Sequence, residues 1–118
     1  MRILLAEDEQ NISRLIEKVL AAAGHHVEGV RSCSEAIERL AGSRWDLLLL
    51  DLHLADGDGF PVVEAMERTG NHAAVVVMTG ESAFDEDDPR ASRVSGVLRK
   101  PFALADLEAV VQRHSASA

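Results

Sequence analysis

The sequence predicts an α/β fold, a parallel sheet with helices on both faces. Three observations carry this expectation. Strand-length apolar runs alternate along the chain with segments whose apolar residues recur at helical spacing. The run Leu47 to Leu50 contains no polar position, as expected of a strand buried on both faces in the middle of a parallel sheet. The 118 residues, 47% of them hydrophobic, suit one compact domain and are too apolar for a disordered chain.

The elements follow in order. Ile3, Leu4, Leu5 and Ala6 read as a first strand. Ile12, Leu15, Ile16, Val19 and Leu20 then recur at helical spacing, and Gly24 supplies a stop. A short strand is expected near Val27 to Val30. Ser32 and Glu35 have capping-box spacing ahead of Ala36, Ile37 and Leu40, which predicts a second helix. After the central strand, Pro61 suits the first turn of a third helix that ends near Gly70. Val75 to Met78 is a further buried strand and Val97-Leu98 a short one. Leu104, Leu107, Val110 and Val111 mark a last helix. The domain is expected over residues 1–114, and Ser115 to Ala118 have the small, polar character of a linker.

Composition excludes several classes of function. A formal charge of -8 repels the phosphate backbone, so direct nucleic-acid binding by this domain is not expected. No apolar run reaches membrane-spanning length, and no signal peptide precedes the first strand. The single cysteine, Cys33, cannot form an internal disulfide, which fits a reducing, cytoplasmic setting.

In sheets of this kind, ligands sit at the carboxyl ends of the strands. There the sequence places Glu7-Asp8, Asp51, Thr79 and Lys100, each following an apolar run. Three carboxylates in one pocket repel one another unless a cation joins them. Mg²⁺ fits, because it takes oxygen ligands, needs few carboxylates and keeps several waters. Asp8 and Asp51 can ligate it directly, Glu7 directly or through water, and the backbone carbonyl of His53 is a reasonable further ligand. A metal beside a carboxylate, a lysine and a hydroxyl suits phosphoryl transfer. Asp51 can be the nucleophile, Thr79 can donate to a phosphoryl oxygen, Lys100 can offset its charge, and Gly80 leaves room.

The segments ILLAEDE, LLLLDLHLADGDGF, VVVMTG and VLRKPF, in this order, resemble response-regulator receiver domains over essentially the whole chain. The resemblance implies a flavodoxin-like, doubly wound (βα)5 sandwich with strand order 2-1-3-4-5, for which a chemotaxis receiver is a known example. It assigns Glu7, Asp8 and Asp51 to Mg²⁺, Asp51 to phosphate acceptance, and Thr79 and Lys100 to the phosphoryl group. It implies a cis peptide before Pro101. It also implies a histidine kinase or phosphotransfer protein as phosphodonor, a downstream effector domain or protein as output, and dimerisation through the last two helices. Turnover would be limited to the domain's own phosphorylation and slow dephosphorylation. His53 and Glu81 match positions that tune water access to the phosphate.

Three positions depart from the family pattern. Val97 stands where many receivers carry an aromatic switch residue, and the chain has no tyrosine. Phe84 to Pro89 contains four consecutive acids, which predicts a long loop and a short, late fourth helix starting near Pro89. Ala55 replaces a frequent proline.

Simpler readings stand beside these. Glu7-Asp8 alone could be an acidic helix start. Asp56-Gly57-Asp58-Gly59 reads as a turn with a helix cap, since the rest of a calcium loop is missing. His25-His26 reads as a solvated turn, Cys33 as a passive helix-start residue and Trp45 as packing. Two rival functions are a small Mg²⁺-dependent phosphohydrolase and a receiver-like interaction module that takes no phosphate. The first lacks the acid usually found two residues after the nucleophile, where this chain has His53.

Overall fold

The computed structural model describes residues 1–80, 87 and 92–116. The elements are β1 (Arg2–Ala6), α1 (Gln10–Ala22), β2 (His26–Val30), α2 (Cys33–Gly42), β3 (Leu47–Asp51), β4 (His53–Leu54), β5 (Gly57–Asp58), α3 (Phe60–Thr69), β6 (Ala74–Thr79), β7 (Gly96–Arg99) and α4 (Leu104–Ala116). Five strands form one parallel sheet in the order β2-β1-β3-β6-β7. Setting aside the two-residue strands β4 and β5, this is the expected 2-1-3-4-5 order of a flavodoxin-like fold. The expected late helix near Pro89, and Glu81, lie outside the described residues.

The period of two along each strand divides the core. Leu4, Ala6, Leu48, Leu50, Val75 and Val77 face α2 and α3, meeting Ala36, Leu40, Val62, Val63 and Met66. Ile3, Leu5, Leu47, Leu49, Val76 and Met78 face the other way, toward Ile16 and Leu20 of α1 and Leu107, Val110 and Val111 of α4. This explains the unbroken leucine run: β3 is covered on both faces, and Leu47 to Leu50 are each 0% exposed. Each such leucine stabilises the fold by roughly 1.5–3 kcal/mol relative to exposure.

Helix ends follow the expected chemistry, with some reassignment. Ser32 Oγ accepts from the Glu35 amide at 3.2 Å, but the Glu35 carboxylate returns to the Arg31 amide at 3.4 Å, one residue earlier than in a capping box. Pro61 lies in the first turn of α3, and Gly70 closes that helix with φ 68°. The first helix is capped by Glu9, whose carboxylate accepts from the Asn11 and Ile12 amides at 3.2 and 3.0 Å. Glu7 and Asp8 are therefore not its caps.

Other expectations changed in detail. Leu15 shares the helical period of α1 yet is 49% exposed, because the buried stripe runs through Ile16 and Leu20. α4 continues through Ser115 to Ala116, taking in two residues read as the start of the tail. His25 Nδ1 meets the amino terminus at 3.0 Å while His26 turns to Glu28 at 3.5 Å, so the adjacent histidines diverge. Trp45 is buried, donates from Nε1 to the Arg39 carbonyl at 3.1 Å, and carries the Arg2 guanidinium 4.6 Å above its ring.

Candidate metal and phosphoryl site

Parallel pairing brings the strand ends together. Ala6, which precedes Glu7, stands opposite Leu50, which precedes Asp51; Asp51 stands opposite Met78, and Thr79 opposite Arg99. Glu7, Asp8, Asp51, Thr79 and Lys100 thus occupy one edge of the sheet, as the sequence predicts. Glu7 is fully buried, Asp51 and Thr79 nearly so, and Asp8 is half-buried.

Lys100 ties the carboxylates together. Its Nζ donates to Glu7 Oε2 at 2.8 Å, Glu7 Oε1 at 3.0 Å and Asp51 Oδ2 at 3.0 Å. The Lys100 amide donates to the Thr79 carbonyl at 2.8 Å, and the Lys100–Pro101 peptide is cis. The other Asp51 oxygen, Oδ1, accepts from the His53 amide at 2.9 Å. The His53 side chain is exposed. A Cβ at Gly80 would lie 3.7 Å from Lys100 Cβ, an ordinary contact, so the described neighbours do not themselves demand glycine there.

Burial sets the electrostatics. It pushes the Glu7 carboxyl up, as does Asp51, while the Lys100 hydrogen bond pulls it down; the outcome is about 7 against an ordinary 4.5. Burial works against the Lys100 ammonium, but hydrogen bonds and charge from Glu7 and Asp51 outweigh it and raise its pKa. One ammonium thus serves two of the three carboxyl groups at this edge.

Carboxylate oxygens of Glu7, Asp8 and Asp51 lie within 4.8 Å of one another, the group suited to a metal ion among the described residues. An all-oxygen donor set from three carboxyl groups fits a hard divalent cation such as Mg²⁺.

The segment after Asp51 holds the feature that sequence reasoning missed. β4 and β5 form a small antiparallel hairpin, with His53 opposite Asp58 and Leu54 opposite Gly57. Asp58 Oδ1, from the position before the N-cap, accepts from the Phe60 amide at 2.9 Å, while the N-cap itself, Gly59, makes no side-chain cap bond. Asp56 instead reaches back to α2, accepting from the Cys33 and Ser34 amides at 2.7 and 3.2 Å and from Ser34 Oγ at 3.0 Å. Gly59 has a steric role, since a Cβ there would lie 2.8 Å from the Asp51 carbonyl oxygen.

The whole chain apart from its two ends matches one family: residues 3–112 correspond to the response regulator receiver domain. The chain belongs to that family. As a receiver domain it is a signalling module of two-component response regulators and not an ordinary enzyme. It is 36% identical over 110 residues to the response regulator receiver protein CpdR of Brucella abortus, covering 90% of this chain and 89% of that one. It is 32% identical over 108 residues to the swarming motility regulation protein RssB of Serratia marcescens, covering 91% of this chain but 49% of the relative. The receiver domain thus spans most of one curated relative and about half of the other. Among solved structures, it resembles the receiver domain of sensor histidine kinase PA1611 from Pseudomonas aeruginosa. The TM-score is 0.84 at 25% identity, with 95% of this chain and 94% of that one covered; that protein holds a magnesium ion in its active site cleft. Among the described residues, no helix is long and apolar enough to cross a membrane.

Proposed function

We propose that this receiver domain accepts a phosphoryl group on Asp51 and that Glu7, Asp8, Asp51 and the His53 backbone carbonyl hold the Mg²⁺ the reaction needs. The observation that carries this reading is the Lys100 bridge between Glu7 and Asp51, beside Asp8 and at the end of a buried strand. An Asp51 oxygen forms the new P–O bond as the donor's bond to phosphorus breaks, and the departing group leaves with that electron pair. When bound, Mg²⁺ would offset charge on the phosphoryl oxygens. Thr79 would donate its hydroxyl to one such oxygen, and Lys100 would turn its ammonium toward another. Water later hydrolyses the acyl phosphate, with His53 and Glu81 governing its approach.

The donor is a histidine kinase or a phosphotransfer protein. The added charge, up to about two negative units, favours one of two pre-existing states and alters affinity for an effector domain or protein. Residues 1–114 form the functional unit, acting in the cytoplasm, with dimerisation through the last two helices as one output. Direct contact with nucleic acid is not part of the role, given the charge of -8.

Incubation with Mg²⁺ and acetyl phosphate, followed by intact mass measurement, tests the reading. A single phosphate adduct is expected, lost in Asp51→Asn. Repeated turnover of unrelated phosphate esters would point to a hydrolase, and no adduct at all to an interaction module independent of phosphate.

A further inference from the structure

We propose that Asp56 is a positioning residue: it latches the tip of the β4–β5 hairpin to the first turn of α2 and thereby holds His53 and the Asp51 carboxylate in the arrangement that receives the metal. The proposal rests on the reading of Glu7, Asp8 and Asp51 as a Mg²⁺ site.

The hairpin has two residues in each strand, too few to hold its own shape in water. It is fastened instead at both ends. At its base, the Gly59 amide donates to the Leu52 carbonyl at 3.0 Å, and Gly59 packs against the Asp51 carbonyl. At its tip, Asp56 takes three hydrogen bonds from Cys33 and Ser34, the first two residues of α2. Amides there have no partner within the helix, and the helix dipole favours an anion. A third fastening runs from Cys33 Sγ, which donates to the Asp58 carbonyl at 3.1 Å; Asp58 is the residue opposite His53.

His53 lies between these points, and its amide fixes Asp51 Oδ1 at 2.9 Å while Lys100 takes Oδ2 at 3.0 Å. Hydrogen bonds at either end, joined by the paired hairpin backbone, therefore connect α2 through Asp56 to the Asp51 carboxylate. The Cys33 amide, as the largest cause, holds the Asp56 carboxyl down at about 2, so the latch stays ionised throughout the neutral range. Ala55, at the tip where many receivers have proline, makes the hairpin more dependent on this outside hold.

Calorimetric titration of the whole chain with Mg²⁺ tests this, comparing the unaltered protein with Asp56→Ala and Asp51→Asn. Thermal unfolding establishes that each variant is folded, as expected for a change at the exposed Asp56. Asp56→Ala should bind Mg²⁺ about tenfold more weakly, the usual effect of removing a group that orients a ligand. The Mg²⁺ concentration needed for acetyl phosphate labelling should rise in parallel. The deficit should persist at high salt, on the order of 0.5 M, where distant charges are screened. Unchanged affinity in Asp56→Ala would overturn the proposal, and so would a deficit that vanishes at high salt, which would reflect lost charge alone. If Asp51→Asn binds Mg²⁺ as well as the unaltered protein, the metal-site reading itself fails. If Asp51→Asn is weakened and Asp56→Ala is not, only the positioning role falls.

Discussion

Lys100 and Glu7, separated by 93 positions in the chain, meet at 2.8 Å at the sheet edge, Glu7 fully buried and Lys100 partly so. The ammonium is shared with Asp51 at 3.0 Å, so one positive charge serves two buried carboxylates. The arrangement is charge-deficient by design of its residues, and several measurable properties depend on that.

Replacing Lys100 by methionine keeps the volume and removes the charge. Two buried carboxylates are then left facing each other, and losing one partner of a buried pair is destabilising. Because Glu7 can respond by binding a proton, the loss should depend on pH. Urea unfolding of the metal-free variant should show a loss of roughly 2–3 kcal/mol at pH 8 and clearly less at pH 5. Equal stability to the unaltered protein at pH 8 would contradict the bridge.

Glu7 also predicts the pH dependence of the unaltered protein. Its carboxyl is raised to about 7 in the fold, chiefly by burial, against 4.5 ordinarily. Between those values the folded state binds more protons than the unfolded one, so this group's contribution falls as pH rises. It is fully present below 4.5 and lost as pH passes 7. Comparison with Glu7→Gln isolates it from other carboxylates. In chelator, the variant should match the unaltered protein near pH 5 and melt at least roughly 4 °C higher near pH 8, the shift expected from about 1 kcal/mol. Mg²⁺ should stabilise the unaltered protein more at pH 8 than at pH 5.5, because its ligands must be deprotonated. Parallel melting curves for the two proteins across this range would refute the assignment.

Two leucines separate what periodicity reveals from what packing decides. Leu49 is completely buried and Leu15 is 49% exposed. Leu49→Ala should cost about 3 kcal/mol, from lost transfer energy and a residual cavity. Leu15→Gln should change stability by no more than about 0.5 kcal/mol. Denaturant midpoints of the two variants decide it, and comparable losses would mean that the exposed face of α1 is misassigned.

Much of the fold was legible because it rests on local patterns. The runs at Ile3–Ala6, Leu47–Leu50 and Val75–Met78 announce strands covered on both sides, and the polar residues that end them mark the sheet edge. The candidate site was legible for the same reason: Asp8, Asp51, Thr79 and Lys100 each follow an apolar run. What escaped depends on contacts between distant segments. Leu15 fits the helical period, yet whether it is covered depends on where α1 meets the sheet. The β4–β5 hairpin is too short to show any period. Asp56 looks like a turn residue, and nothing local tells that its amide partners lie 22 and 23 positions earlier. The Glu35 return bond differs by one residue from its motif, a shift that depends on how the chain leaves β2.

The parallel order of the strands has a consequence for how the protein comes into being. Glu7 follows the first strand, Asp51 ends the third, and Lys100 comes after the last, so no contiguous half of the chain contains the pocket. A ribosome must release the segments from Glu7 through Lys100 before these three side chains can meet. A copy that lacks the first, third or last of these strands cannot assemble that pocket. Assembly of the pocket thus reports that the strands made first and last have come together.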